Sequence, residues 1–139
     1  MASVSESIRI SASPDDVWAT VRDFGAIAQY VPPITGAELS GTGVGAERTL
    51  TLADGAQVVE RLESVDDDTR MLRYTIVESP LPVADYEGSL SVTAVDDSTC
   101  QVTWASSFAV HGAPEDELVN TFADLYTAGL NGLKERHTQ

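Results

Sequence analysis

Two charged residues stand where strand alternation asks for apolar ones. In the run Ala46 to Leu52, Leu50 and Leu52 share a face with Arg48; in Gln57 to Val65, Val58 and Leu62 share a face with Glu60. Successive strand side chains point to opposite sides, so if the leucines point inward, both charges do too. Adjacent antiparallel strands would bring them within reach of one another. A lone buried carboxylate must pair, protonate or meet water, and Arg48 is the partner at hand. Such a pair at ~4 Å is worth about 4 kcal/mol at an effective dielectric near 20, before desolvation is subtracted. Its chemistry has several outlets. It can be a fixed ion pair, it can orient the polar group of a ligand, or Glu60 can move a proton while Arg48 stabilises a developing oxyanion. If Val59 and Val65 face inward instead, Glu60 stands in solvent.

Aromatic residues share the same interior by parity. Tyr74 and Ile76 lie on one face with Leu72; Tyr86, Leu90 and Val92 on another; Trp104, Phe108 and Val110 on a third; Phe122 and Tyr126 meet them from the last helical stripe. The pattern suits a plain core. It equally suits an apolar pocket with tyrosine hydroxyls as orienting groups. Trp18 reads as packing rather than pocket. His111 follows a strand end and His137 lies in the C-terminal tail, so both are expected in solvent and no metal-ligand cluster is expected. No Gly-x-Ser-x-Gly elbow occurs, and Gly41-x-Gly43-x-Gly45 lacks the helix a phosphate loop needs. Metal, cofactor-dependent and nucleophilic chemistry are not expected.

The elements that must hold these residues follow from local signals. Ser5 to Ser11 alternates as a short strand. Ser13-Pro14-Asp15-Asp16 starts a helix with a serine cap, proline at the first position and two aspartates facing the dipole; Val17, Trp18 and Val21 form its inner stripe, and it ends near Gly25. A second short helix is expected over Ala26 to Tyr30, stopped by Pro32-Pro33. Six strands come next: Ala37 to Gly41, Ala46 to Leu52, Gln57 to Val65, Met71 to Glu78, Val83 to Val95 and Thr99 to Val110. Glycines from Gly41 to Gly45, Asp54-Gly55, Asp66 to Thr69 and Asp96-Asp97-Ser98 mark the turns. Gly112-Ala113-Pro114 opens a long final helix with Glu115, Asp116 and Glu117 in its first turn and Lys134 and Arg136 at its end. Leu118, Phe122, Leu125, Tyr126, Gly129, Leu130 and Leu133 form its apolar stripe. The expected order is β-α-α-β-β-β-β-β-β-α: an α+β helix-grip fold in which a strongly curved seven-stranded antiparallel sheet wraps one long helix.

Composition narrows the partners. The 139 residues fit one domain spanning 1–139, with 42% hydrophobic and 22% charged residues. Eight basic residues against 22 acidic ones give a net charge of −14. Lys134 is the only lysine, so nucleic acid and anionic membrane surfaces are disfavoured partners. No stretch approaches the ~20 apolar residues of a membrane span. Cys100 is the only cysteine, expected as a small buried hydrophobe in a reducing, cytoplasmic setting. No basic region followed by an apolar stretch opens the chain, so no secretory signal is expected.

The chain resembles the Bet v 1/START-like (SRPBCC) superfamily, the polyketide cyclase/dehydrase and lipid-transport group. The resemblance rests on Val59-Glu60-Arg61-Leu62-Glu63-Ser64-Val65-Asp66-Asp67-Asp68-Thr69-Arg70, with Tyr74, Pro80-Leu81-Pro82 and Tyr86. The opening Ser13 to Trp18 and the closing Tyr126 to Lys134 are similar too. It implies a small apolar or aromatic ligand, lipid or polyketide-like, held between sheet and helix. Entry would pass the loops at Ala53–Gly55 and Ser79–Pro82. Leu50, Leu62, Ile76, Leu81, Trp104 and Phe108 would line the site, with Glu60, Tyr74, Tyr86, Phe122 and Tyr126. Synthase-like relatives use a cavity arginine and glutamate, types present here as Arg48 and Glu60; hormone-receptor relatives use gate and latch residues and a lysine that this chain lacks. The resemblance therefore implies a binding protein or a cofactor-free cyclase/dehydratase, monomeric or weakly dimeric. An interaction protein with a filled interior is the remaining reading.

Overall fold

A computed structural model describes residues 1–137 of the chain. Seven strands form one antiparallel sheet in the order β1-β7-β6-β5-β4-β3-β2. They are β1 (Ala2–Ile10), β2 (Ile34–Ser40), β3 (Glu47–Leu52), β4 (Gln57–Asp66), β5 (Met71–Glu78), β6 (Val83–Asp96) and β7 (Thr99–Val110). Helix α1 (Pro14–Val21) follows β1, and α2 (Glu115–His137) closes the chain. The helix-grip architecture is as the sequence leads one to expect.

Differences lie at the edges. The first strand starts at Ala2, because Ala2 and Val4 continue the buried face that Ile10 ends. The second short helix is a 3-10 helix over Phe24–Gln29, and α1 ends at Val21 rather than Gly25. Its start matches expectation: the Ser13 side chain accepts from the Asp16 N–H at 3.1 Å. The strand expected from Ala37 begins at Ile34 instead.

Two irregularities decide which residues face inward. Between Leu62 and Ser64 the β4–β5 register slips by one, so Leu62 opposes Tyr74 while Val65 opposes Leu72. Leu62 and Val65 therefore both reach the core although their sequence parity differs. In β6, the register with β7 shifts between Ala84 and Glu87, and Asp85 takes a left-handed φ of 53°.

One ion-paired clasp holds α1 against the β4–β5 turn. The Trp18 indole N–H and Arg22 Nε both donate to Asp67 Oδ1, at 2.8 and 2.9 Å. Arg70 adds a second tie, donating to Asp15 Oδ1. Trp18 is thus packed, as expected, and also hydrogen-bonded. At the far end, α2 lies against the 3-10 helix so closely that a Cβ at Gly132 would stand 1.9 Å from the Tyr30 carbonyl oxygen. His137 is half-buried there, its Nε2 2.9 Å from Thr20 Oγ1, which corrects the expectation of a solvated side chain. Cys100 is fully buried in β7. Among the described residues no helix is long and apolar enough to cross a membrane.

Candidate functional site

Arg48 and Glu60 are directly opposite in the β3–β4 register. Both are buried, at 2% and 6% exposure, which removes the reading that leaves Glu60 in solvent. Arg48 Nε donates to Glu60 Oε1 at 2.8 Å, and Nη1 donates to the Phe24 carbonyl at 2.9 Å. The guanidinium lies 3.8 Å over the Phe24 ring and 5.2 Å from that of Tyr74. Such ring contacts suit arginine, whose flat, weakly hydrated head packs on aromatic faces. Nη2 sits 2.7 Å from the same Glu60 oxygen, in ion-pair contact with it but without an aligned hydrogen bond of its own. Burial pushes the Glu60 carboxyl above its ordinary range, against the opposing pull of Arg48. Loss of water around the carboxylate itself outweighs the pull of the ion pair.

Beside this pair runs a chain of hydroxyls. Tyr126 OH donates to Ser106 Oγ at 2.8 Å, which uses its single proton. In the short contact between Tyr86 and Tyr126, Tyr86 must then donate. Tyr74 in turn donates to Tyr86 at 2.9 Å and accepts from Trp104 Nε1 at 2.8 Å. The chain runs one way, from indole to serine. Burial raises the Tyr126 hydroxyl to about 12 and those of Tyr74 and Tyr86 well above their usual value. All three stay protonated across the physiological range.

Gly88 makes this arrangement possible. It lies opposite Tyr74 in one register and Ser106 in the next. A Cβ there would stand 2.4 Å from Tyr74 Cζ and 2.6 Å from its hydroxyl. The Tyr74 ring therefore occupies the space a side chain would fill. Neither Gly88, Ser106 nor Phe24 was singled out from the sequence. Gly88 was signalled as an isolated glycine inside a long strand, a mark of close approach. Ser106 was signalled by interrupting the apolar run Trp104-x-Ser106-x-Phe108. Nothing local announces the Phe24 carbonyl, which depends on where the 3-10 helix docks.

The aromatic residues meet as expected, but ring against ring. Trp104 stacks on Tyr126 with centroids 4.3 Å apart, and Phe108 meets Phe122 at 4.9 Å. Tyr86 touches Phe122 at 5.4 Å and Phe108 at 6.0 Å. The tyrosine hydroxyls satisfy one another instead of standing ready around a hollow. Open space lies at the mouth: a cleft of about 490 Å³ with largely apolar walls. Leu52, Ala53 and Asp54 from the β3–β4 turn, Leu81 from the β5–β6 loop, Pro33, and Phe122 and Leu125 of α2 line it. Both expected entry loops are therefore at its rim. Leu50, Leu62 and Tyr74 lie in the core behind it, with Ile76 half-buried against them. Arg48 and Glu60 do not line the cleft. A separate hollow of about 270 Å³ lies over the outer face of the sheet, bordered by Glu63, Arg73, Glu87 and Ser107.

Comparisons with known proteins agree with this fold. The chain is 30% identical to XoxI of Bacillus cereus, whose structure matches with a TM-score of 0.92 over 99% of this chain and 96% of that one. A protein of Thermobifida fusca is 34% identical, with a TM-score of 0.88 over 99% of this chain and 93% of that one. The Zhui aromatase/cyclase from Streptomyces sp. R1128 shares the fold, at 19% identity and a TM-score of 0.83 over 98% and 93% of the two chains. Among curated proteins, a glutamyl-tRNA(Gln) amidotransferase component of Halobacterium salinarum is 35% identical over 129 residues, 91% of this chain. The chain spans only 30% of that protein's length. With a match running over residues 1–138, the chain belongs to the polyketide cyclase/dehydrase and lipid transport family.

Proposed function

We propose that the protein binds a small, largely apolar ligand between the sheet and α2, entering through the cleft at the β3–β4 and β5–β6 loops. The cleft's volume of about 490 Å³ falls in the range of small-molecule sites, roughly 300–1,000 Å³. The observation that carries the reading is the open, apolar-walled cleft between the sheet loops and α2, bordered by Leu52, Leu81, Phe122 and Leu125. Behind the cleft, Arg48 supplies a buried guanidinium, a group suited to a ligand oxygen. Glu60, Tyr74, Tyr86 and Tyr126 are the other polar groups such a ligand would meet. Native mass spectrometry of freshly purified protein should find a co-purifying small molecule, and neutral aromatic compounds should raise the melting temperature. Absence of both across a broad panel would end the binding reading and favour an interaction protein with a filled interior.

One observation favours a second reading, a cofactor-free cyclase or dehydratase. The Glu60 carboxyl is raised by burial, the direction that turns a carboxylate into a useful acid–base group near neutral pH. Arg48 beside it would stabilise a developing oxyanion. The readings part at Glu60→Gln. An enzyme loses turnover while ligand binding persists, and a carrier shows only a modest change in affinity.

A further inference from the structure

We infer that Phe122 is the internal gate of the site, and that a ligand enters by displacing its ring. The inference rests on the binding reading above and concerns how that site opens. Of the clustered rings among the described residues, Phe122 alone also lines the cleft at the mouth. On its outer side lies a space of about 490 Å³. On its inner side it touches Tyr86, Phe108 and Tyr126, at 5.4, 4.9 and 6.0 Å. Two of those three carry the hydroxyl chain, so this one ring separates open volume from the polar groups behind it.

The motion needs no backbone change. Aromatic side chains on a helix choose between two χ1 wells, and a change of well can carry the Phe122 ring from its neighbours into the cleft, which has room for a phenyl group. The place it vacates is flat, ring-sized and walled by Tyr86, Phe108 and Tyr126. The first group admitted is therefore a planar apolar ring that takes over the tilted ring contacts Phe122 gives up. A flexible alkyl chain lacks that match. Burying a phenylalanine ring favours the closed form by roughly 10- to 100-fold, so free protein is mostly closed and binding waits on opening.

Stopped-flow fluorescence with N-phenyl-1-naphthylamine, a neutral planar probe, tests the gate. With the natural protein the observed rate should level off as probe concentration rises, because opening precedes binding. Phe122→Ala should remove the plateau and bind on the order of tenfold faster at high probe. Leu133→Ala creates a void under the same helix without touching the cleft or the ring cluster, and should keep the plateau. Phe122→Leu serves if the alanine variant melts before assay, and should raise the plateau. A rate that climbs linearly in the natural protein, or equal acceleration by Leu133→Ala and Phe122→Ala, overturns the gate while leaving the binding reading intact. Absence of probe binding by all of them overturns both.

Discussion

Replacing Gly88 with alanine would put a methyl group into the Tyr74 ring. The new Cβ would stand 2.4 Å from Tyr74 Cζ, 2.6 Å from Cε1 and 2.6 Å from the hydroxyl oxygen. Carbon contacts settle near 3.5–4.0 Å, so the ring must retreat by about 1 Å or more. It has nowhere to go: Phe24 and Tyr86 pack against it, and its hydroxyl is held by Trp104 Nε1 and Tyr86. Overpacking of this kind costs about 1–3 kcal/mol. Loss of two buried hydrogen bonds adds about 0.5–1.5 kcal/mol each. Alanine's better strand entropy returns about 0.5–1 kcal/mol. The balance is a loss of about 3 kcal/mol. In urea, with a slope of about 2 kcal/mol/M, the midpoint should fall by about 1.5 M. The decisive measurement is a double-mutant cycle with Tyr74→Leu, which removes the clashing atoms. Gly88→Ala should cost far less in that background. Equal cost in both backgrounds, within about 0.5 kcal/mol, would refute the account of Gly88 as the seat of the tyrosine ring.

Other outcomes follow from the same geometry. Arg48→Met or Glu60→Gln alone should destabilise by about 3–5 kcal/mol, because each leaves its partner unpaired in the interior; replacing both with methionine should be close to neutral in chemical denaturation, and a double variant as unstable as either single one would show that the pair itself holds the fold. Alkali should unfold the protein over a defined window. Tyr30 and Tyr126 keep their protons to about 12 when folded, against about 10 when unfolded. The folded state therefore holds more protons between those values, and stability falls as pH rises through them. Tyrosinate absorbance should rise together with loss of ellipticity; ionisation well before unfolding would contradict the burial. Salt should stabilise. Screening weakens the exposed Arg22–Asp67, Arg61–Glu47 and Arg70–Asp15 pairs, but also the self-repulsion of a net charge of −14. The second effect spans the whole surface, so the melting temperature should climb as sodium chloride shortens the Debye length from about 10 Å at 0.1 M to about 3 Å at 1 M. A falling melting temperature would show that the pairs outweigh the repulsion.

The buried ion pair was legible in the sequence because it rests on parity alone, and strands of six and ten residues keep parity long enough to trust. The same rule fails at Val65, where the slip after Leu62 brings a residue of the wrong parity back to the core. No sequence signal marks that slip. The tyrosines were legible as inward-facing but not as partners of one another, since Tyr74, Tyr86 and Tyr126 meet across three separate elements. Whether a ring cluster closes on itself or leaves a chamber depends on fractions of an ångström in how α2 settles. Alternation carries no such information. The cleft was foreseen through the two loops that rim it and through Phe122, and its displacement from Glu60 to the mouth reflects how fully the rings fill the interior behind.

The contact between Gly132 and the Tyr30 carbonyl divides α2 into two unlike halves. Around Gly129 and Gly132 main chain and indole press so near that any added carbon collides, 2.7 Å from Trp104 at the former and 1.9 Å from oxygen at the latter. Thr121 and Leu125, by contrast, border vacant volume. Reshaping the cleft should therefore leave the C-terminal turns alone and vary the N-terminal ones, where larger or smaller side chains can change its walls without unseating the helix.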